Sequence, residues 1–492
     1  MTATPDLSAF IKAYDVRGLV PDQLSPRVVR AIGAAFAEVV ARPEGADHVV
    51  VGHDMRPSSP KLCEAFASGV AERGVDVVLI GLASTDQLYY ASGSRSAPGA
   101  MFTASHNPAQ YNGIKLCRSG ARPVGQDSGL VQIRELAQSI LEQGYAVLAP
   151  VERPGRVRRK DVLAGYAAFL RSLVDLSGCR PLKVVIDAGN GMAGHTVPAV
   201  LGDGAGLEAL PLEIVPLYFE LDGTFPNHEA NPLDPANLVD LQEAVRGEGA
   251  DLGLAFDGDA DRCFVVDERG EPVSPSAITA LVACREIARE VATGTAAADV
   301  RIVHNVITSR VVEEEVLSAG AEPVRTRVGH SFIKDEMARC GAVFGGEHSA
   351  HYYFREFWFA DTGMLAAMHV LAALGESDRP LSELGGHFDR YAASGEINST
   401  VEEAVAATAA VRDWAEATYG PLEVDTLDGM TITKPDTDGR WLWWLNLRAS
   451  NTEPLLRLNV EARDEETMRD LRGAVLALVR ESGNEDVEGL HV

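Results

Sequence analysis

The chain has 492 residues, 46% of them hydrophobic and 23% charged, which is typical of a folded globular protein of three or four domains. Its formal net charge of -27 argues against nucleic acid and anionic membranes as partners, because both need a basic surface. The six cysteines form no C-x-x-C pair, and neither a signal peptide nor a membrane-spanning stretch is present, so we expect a cytoplasmic protein.

Three segments share one pattern, in which a short β-branched run is followed by a polar or glycine-containing turn and then by helix-like sequence. They are residues 48–54, 183–189 and 301–305. Continuous apolar runs of this kind predict buried strands in α/β layers, and the alanine-rich residues 28–40 and 277–291 are typical of the covering helices. These segments lie more than a hundred residues apart in the chain, which favours repeated domains over a solenoid.

The last segment has a different pattern. Residues 441–447 and 455–460 are predicted strands on either side of a polar loop, and a helix follows from Glu465. This indicates an α+β domain, in which the tryptophans of residues 441–444 belong to a core or an interface rather than to a ligand cage.

An acidic loop with Asp257, Asp259 and Asp261 lies between the apolar runs 252–256 and 263–266. Three carboxylates this close repel one another unless a cation neutralises them, and hard oxygen ligands favour magnesium or calcium. Three alternatives remain open. The first is an EF-hand loop, which would need glycine where Arg262 stands. The second is an aspartyl-phosphate enzyme, which would use Asp257 as its nucleophile. The third is an acidic turn that is simply exposed to solvent.

A second loop, Thr103-Ala104-Ser105-His106-Asn107-Pro108, follows the apolar stretch 99–102. It places Ser105 on a turn at the end of a predicted strand, where α/β proteins tend to build sites. Lys115 follows closely, and a serine near a metal and a lysine is suited to accept and return a phosphoryl group. The alternative is a serine that only shapes the turn before Pro108.

Two later loops carry binding groups. Residues 448–454 combine a guanidinium, hydroxyls, an amide and loop N–H groups between two strands, which is suited to cradling a phosphate. In residues 345–351, Glu347 and Ser349 can hydrogen-bond sugar hydroxyls. His351 and the earlier His330 are each either functional or purely structural.

One pattern points elsewhere. Residues 189–194 read G-x-G-x-x-G after a predicted strand, with Glu213 about 20 residues further on, which resembles a dinucleotide-binding fingerprint. Glu213 opens the next apolar run, however, whereas a ribose-binding acid belongs near the end of a strand. A nicotinamide-dependent oxidoreductase therefore stays as the alternative of another class.

Taken together, these loops resemble the α-D-phosphohexomutase family, the phosphomannomutases and phosphoglucomutases. The similarity runs in the family's order over nearly the whole chain, through residues 14–18, 103–108, 222–228, 257–262, 347–351 and 448–452. Six motifs in order are a specific signal, whereas any one of them alone would be weak.

The resemblance implies an α/β fold that is heart-shaped with a central cleft. Three similar mixed-sheet α/β domains, at residues 1–155, 156–270 and 271–388, would carry the phosphoserine, metal and sugar loops. A smaller C-terminal α+β domain, residues 389–492, would carry the phosphate loop.

The resemblance also implies roles for individual residues. Ser105 would carry the phosphate and, with Asp257, Asp259 and Asp261, would hold Mg²⁺. The other residues implied in catalysis are Arg17, Lys115, Arg262, His330 and His351, with Lys115 and His351 as candidates for proton transfer. The residues implied in substrate binding are Tyr14, His106, Glu347, Ser349, Arg448, Ser450, Asn451, Thr452 and Arg457.

We expect a mutase that acts on hexose phosphates through a hexose 1,6-bisphosphate, as a monomer or homodimer. The sugar loop favours mannose phosphates over glucose phosphates, with glucose phosphates as the alternative. The sequence departs from the family pattern at His348, Ala350 and Ile307, which bears on the sugar preference.

Overall fold

The computed structural model describes residues 5–12, 15–401, 403–449 and 455–481. The chain divides into two compact units, residues 1–272 with 350–382 and residues 273–349 with 383–492. No described helix combines the length and hydropathy needed to cross a bilayer.

The first sheet is mixed and has the order β1-β5-β4-β2-β3-β7, with β6 on β5. Its strands are β1 (Val16–Leu19), β2 (His48–His53), β3 (Asp76–Leu82), β4 (Gly99–Phe102), β5 (Tyr111–Arg118), β6 (Arg122–Pro123) and β7 (Val157–Arg159). Its helices are α1 (Pro26–Phe36), α2 (Ser59–Ala71), α3 (Thr85–Arg95) and α4 (Leu130–Gln143). The central strand β2 is apolar and buried, as expected for a strand covered on both faces.

The second sheet is also mixed. It contains β8 (Leu182–Asp187), β9 (Leu212–Leu217), β10 (Leu252–Phe256) and β11 (Cys263–Asp267), and the short β12 (Pro272–Val273) follows. Strand β8 pairs in parallel with β9 and β10, whereas β10 and β11 form an antiparallel hairpin. Its helices are α5 (Leu163–Leu173), α6 (Ala193–Val200) and α7 (Val239–Glu248). Strands β10 and β11 are buried throughout, so the turn between them is held on a rigid base.

The third set of elements is divided between the units. In the second unit, α8 (Pro275–Ala292) precedes β13 (Arg301–Asn305), which pairs in parallel with β14 (Glu322–Thr326) and β15 (Phe344–Gly346). Helices α9 (Arg310–Ser318) and α10 (His330–Cys340) connect these strands. In the first unit, β16 (Tyr352–Phe354) and β17 (Ala360–Asp361) form an antiparallel pair before α11 (Gly363–Gly375). Helix α12 spans Leu381–Phe388.

The fourth sheet is antiparallel, in the order β18-β22-β21-β20-β19. The strands are β18 (Ala392–Thr400), β19 (Glu423–Asp425), β20 (Met430–Pro435), β21 (Trp441–Ala449) and β22 (Leu455–Ala462), with helices α13 (Ala404–Tyr419) and α14 (Glu465–Glu481). One face packs apolar residues of the strands into a core with both helices. Trp443 and Trp444 are buried, as predicted. Three mixed-sheet α/β regions and a C-terminal α+β region confirm the predicted fold class.

Candidate active site

The serine loop follows β4 and is held in an unusual conformation. Ser105 is a buried non-glycine residue with a φ of 50°, a left-handed conformation that proteins often keep at functional sites. Its backbone N–H donates to Thr103 Oγ1 at 2.9 Å. The hydroxyl therefore projects from a turn whose backbone is fixed locally.

Arg56 fixes the backbone of this loop through hydrogen bonds. Its guanidinium is completely buried, pairs with Asp54 at 3.2 Å and donates to four backbone carbonyls. The four acceptors are Ser105 O at 2.9 Å, Asn107 O at 2.6 Å, Pro108 O at 2.9 Å and Tyr111 O at 3.1 Å. Because a lysine could not present so many donors in one plane, arginine is specifically suited to this position.

The acidic loop is the turn of the β10–β11 hairpin. Asp257, Asp259 and Asp261 are all buried, and one carboxylate oxygen from each lies within 4.8 Å of the others. Ser105 Oγ donates to Asp257 Oδ2 at 2.7 Å. The structure thus brings the serine and the acidic triplet of the sequence prediction together.

Two cations face these carboxylates. Lys115 Nζ, on β5, donates to Asp259 Oδ2 at 2.7 Å and to Asp261 Oδ2 at 2.5 Å. Arg262 donates to Asp257 Oδ2 through Nε at 3.1 Å and Nη2 at 3.0 Å. Arg262 Nη2 is also 3.5 Å from Ser105 Oγ, so positive charge lies beside the hydroxyl.

Burial and the neighbouring cations shift the pKa values of Asp257 and Asp259 in opposite directions. Burial raises the pKa of Asp257 to about 8, although Arg262 acts in the opposite direction. Burial also acts to raise the pKa of Asp259, but Lys115 outweighs it and holds that pKa below the usual range. Burial acts to lower the pKa of Lys115, yet Asp259 and Asp261 keep it well above its usual value, so the ammonium stays charged.

The acidic loop suits a metal ion by the chemistry of its donors. Asp259 Oδ1 and Asp261 Oδ1 are buried and, within the described part of the chain, accept no hydrogen bond. Buried carboxylate oxygens normally have partners, and two converging ones without a partner suit a hard cation. The residues present therefore fit a divalent metal bound by oxygen ligands.

The predicted substrate-binding residue His106 and the predicted catalytic residues Arg17 and His351 also belong to the first unit. Arg262 Nη2 donates to His106 Nδ1 at 2.6 Å, which places the proton of a neutral imidazole on Nε2. Burial, followed by Arg262 and Arg17, holds the pKa of His106 well below its usual value. Arg17 donates to Asn107 Oδ1 at 2.5 Å, and His351 Nε2 lies 3.8 Å from Asp261 Oδ1.

The second unit holds the predicted sugar-binding and phosphate-binding residues. Glu347 is buried after β15 and accepts from Asn305 Nδ2 at 3.0 Å, and Ser349 lies two residues further on. His330 begins α10, and Arg448 and Arg457 lie on β21 and β22. Tyr14, Ser450, Asn451 and Thr452 lie outside the described residues.

Sequence reasoning missed two positioning residues, Arg56 and Thr85. Thr85 opens α3, and its Oγ1 donates to Asp259 Oδ2 at 2.5 Å while its backbone N–H donates to Asp259 O at 3.0 Å. The one sequence signal for Arg56 was its place just after the end of β2. No local pattern points to Thr85.

The G-x-G-x-x-G pattern has a structural role here. Gly191 is packed so closely under the acidic loop that a Cβ would lie 2.7 Å from Gly258 O, and Met192 N donates to the same oxygen at 2.9 Å. Glu213 lies on β9, 3.5 Å from Lys183. The glycines therefore support the turn that carries the aspartates, which removes the reason for a dinucleotide site.

Comparison with known proteins identifies the family. Four family models match, described as phosphoglucomutase/phosphomannomutase alpha/beta/alpha domains I, II and III and C-terminal domain, over residues 9–143, 164–270, 275–391 and 396–478. A protein described as phosphohexose mutases from Xanthomonas campestris pv. campestris is 40% identical over 95% of this chain and 97% of its own length.

Two further relatives agree. The phosphomannomutase of Escherichia coli (strain K12) is 37% identical over 94% of this chain and 97% of its own length. A solved phosphoglucomutase/phosphomannomutase family protein from Burkholderia thailandensis has a TM-score of 0.82 and 30% identity, covering 96% of this chain and 97% of that chain. This chain belongs to the phosphoglucomutase/phosphomannomutase family and is an intramolecular phosphotransferase of the phosphohexomutase type.

Proposed function

We propose that the protein is a phosphomannomutase that interconverts mannose 6-phosphate and mannose 1-phosphate through phosphorylated Ser105, and that it also acts on glucose phosphates. The observation that carries this proposal is the position of Ser105 Oγ, 2.7 Å from Asp257 Oδ2 and 3.5 Å from Arg262 Nη2. A nucleophilic hydroxyl beside a cation and a metal-binding triplet suits phosphoryl transfer.

The reaction has two transfers in opposite directions. In the first, the bond between Ser105 Oγ and phosphorus breaks, a substrate hydroxyl forms the new bond, and its proton passes to a base. The product is a hexose 1,6-bisphosphate. After this intermediate turns around, Ser105 Oγ takes the other phosphoryl group and the second hydroxyl regains a proton.

Residues of this chain supply charge and protons. Arg262 stabilises negative charge as phosphorus moves between oxygens, because its guanidinium lies beside Ser105 Oγ. Lys115, which donates to Asp259 and Asp261, and His351 are the proposed proton-transfer residues. When bound by Asp257, Asp259, Asp261 and the Ser105 phosphate, Mg²⁺ would supply further positive charge.

Sugar and phosphate recognition belong to the second unit in this proposal. Glu347 and Ser349 would bind the sugar's O3 and O4, and Arg448 and Arg457 would bind the phosphate that does not react. His330 is proposed as a catalytic residue on the resemblance. Tyr14, Ser450, Asn451 and Thr452, which lie outside the described residues, are proposed on the resemblance alone. The proposed domains are residues 1–155, 156–270, 271–388 and 389–492.

The test is the fate of phosphate at Ser105. Ser105→Ala should abolish interconversion of mannose 1-phosphate and mannose 6-phosphate, and intact mass should show no phosphoryl group. Ser139→Ala, which loses only a bond to Glu135 O on its own helix, should behave as the wild type. Retained turnover in Ser105→Ala, or a phosphoryl group that hydroxylamine removes from Asp257, would refute the assignment.

Metal dependence and sugar preference need separate measurements. EDTA should stop turnover and Mg²⁺ should restore it.

Mannose and glucose phosphates differ only at C2, which the proposed contacts to O3 and O4 do not touch. A side-by-side comparison of kcat/KM on mannose, glucose and glucosamine 1-phosphates therefore decides the preference, and a higher value for glucose 1-phosphate would overturn the mannose assignment.

A further inference from the structure

Two arginines lie directly opposite each other on the C-terminal sheet. Arg448 of β21 is the register partner of Arg457 on β22, so both side chains leave the same face. Like charges opposite each other across two strands destabilise a sheet unless another group neutralises them. Glu396 of β18 is the neutralising group, since it lies opposite Asn459, two residues along the strand from Arg457.

The carboxylate of Glu396 is shared evenly between the two guanidinium groups. Arg448 Nη2 donates to Glu396 Oε2 at 3.0 Å, and Arg457 Nη1 donates to Glu396 Oε1 at 3.1 Å. Asp428 Oδ2 lies 3.9 Å from Arg448 Nε. Arg327 Nε lies 3.8 Å from Asp428 Oδ1, so two carboxylates offset most of the positive charge of three guanidinium groups where the proposed function needs an anion to bind.

Each of these arginines also has an N–H donor that is not bonded to Glu396. Arg448 Nε and Arg457 Nε are buried and have no hydrogen-bond partner in the described ranges. Buried N–H donors of a charged group normally have acceptors, and an anionic ligand that reaches these two atoms would supply them. Any phosphate that reaches both guanidinium groups must also lie near Glu396, because Glu396 is bonded to both.

We propose that Glu396 is a built-in counter-ion that limits the affinity of Arg448 and Arg457 for phosphate. The inference rests on the proposed mutase function, in which a bisphosphate must leave these arginines and return to them by its other end. At an effective dielectric constant near 20, a negative charge about 6 to 12 Å from a phosphate charge weakens its binding by about 100- to 10-fold. Glu396 therefore keeps phosphate binding weak enough for the intermediate to leave and turn around.

The experiment separates the charge of Glu396 from its geometry. Glu396→Gln keeps the shape and removes the charge, so KM for mannose 1-phosphate should fall about 10-fold and kcat should fall with it, because the intermediate leaves more slowly. In a Ser105→Ala background, the same change should tighten binding of glucose 1,6-bisphosphate in a calorimetric titration. A KM that stays or rises, or an undiminished kcat, overturns the inference.

A second variant and a control keep the test decisive. Glu396→Asp retains the charge on a shorter side chain, so its KM should stay within about threefold of the wild type. Weakening of tenfold or more would show that Glu396 only positions the arginines, and would overturn the inference even if Glu396→Gln failed to fold. Glu423→Gln removes the same charge from an exposed site on β19 and should leave both constants unchanged.

The outcomes also distinguish this inference from the proposed function. A wild-type protein that does not interconvert hexose phosphates refutes the proposed function. An active enzyme in which Arg448→Ala raises KM, but Glu396→Gln does not lower it, refutes the counter-ion alone.

Discussion

The acidic loop and the polar face of the C-terminal sheet differ in which of their buried polar atoms lack hydrogen-bond partners among the described residues. In the acidic loop these atoms are acceptors, Asp259 Oδ1 and Asp261 Oδ1. On the sheet face they include the donors Arg448 Nε and Arg457 Nε. Converging acceptors suit a cation, whereas guanidinium donors suit an anion. One chain with a net charge of -27 therefore contains local sites of opposite polarity.

The difference extends to how each region is held. Lys115 and Arg262 form ion pairs with all three carboxylates of the acidic loop, and these contacts fix the position of the loop. On the sheet face a single carboxylate, Glu396, holds both arginines. Rigid placement suits a reacting centre, and an internally compensated pair suits a ligand that must come and go.

The largest effect should come from the cation side. Asp259→Asn removes one of three ligand charges and leaves Lys115 with a weaker partner. We expect kcat/KM at saturating Mg²⁺ to fall by about a thousandfold or more, with weaker Mg²⁺ binding in a calorimetric titration. Asp203→Asn, an exposed change of equal charge in the same sheet region, should do neither. Normal Mg²⁺ affinity in Asp259→Asn would break the contrast between the two regions.

Much of this could be predicted from the sequence because the signals were local. The apolar runs at residues 48–54, 183–189 and 301–305 became β2, β8 and β13. The family fold and the enzyme class were confirmed by the four family models and by relatives such as the Escherichia coli phosphomannomutase. A strand that must be buried on both faces leaves few alternatives for its residue types, so its pattern is readable without a partner.

The remainder depends on contacts between distant residues. Arg56 binds carbonyls about 50 residues away, at Ser105 and Asn107, and nothing near it in sequence shows that it is buried. The pairing of Glu396 with Arg448 needs the register of β18 and β22, which includes a bulge between Ala393 and Glu396. A one-residue slip would point Glu396 to the other face, so the sequence alone could not identify this contact.

Asp86 is a buried carboxylate outside the acidic loop, and three hydroxyl groups donate to it. Asp86 accepts from Ser84 Oγ, from Tyr166 OH at 2.6 Å and from Thr362 Oγ1 at 2.7 Å. Burial raises its pKa to about 6, so the folded protein holds a proton that the unfolded chain releases near pH 4. This stabilisation is complete below pH 4 and is lost as the pH rises through 6.

Asp86→Asn, which cannot ionise, should remove that pH dependence. In EDTA, its free energy of unfolding relative to the wild type should rise by about 3 kcal/mol between pH 4 and pH 7, on top of a constant loss from the changed hydrogen bonds. Denaturant unfolding at several pH values measures it. Asp76, whose pKa is lowered by the Arg156 N–H, should give the opposite trend in Asp76→Asn. A flat difference for Asp86→Asn would mean that its hydrogen-bond donors cancel the effect of burial on its pKa.

The smallest effect should come from the anion side. Arg457→Gln removes a guanidinium whose partner in the described strands is Glu396, and it leaves that carboxylate to Arg448. Losing one charge-assisted phosphate contact should raise KM for mannose 1-phosphate by about 10-fold, with kcat within about threefold of the wild type. Thermal unfolding should change little, because Glu396 keeps its bond to Arg448 and Arg457 Nε has no hydrogen-bond partner among the described residues. If the melting temperature fell while KM stayed constant, Arg457 would stabilise the sheet rather than bind substrate, and the polarity contrast with the acidic loop would no longer hold.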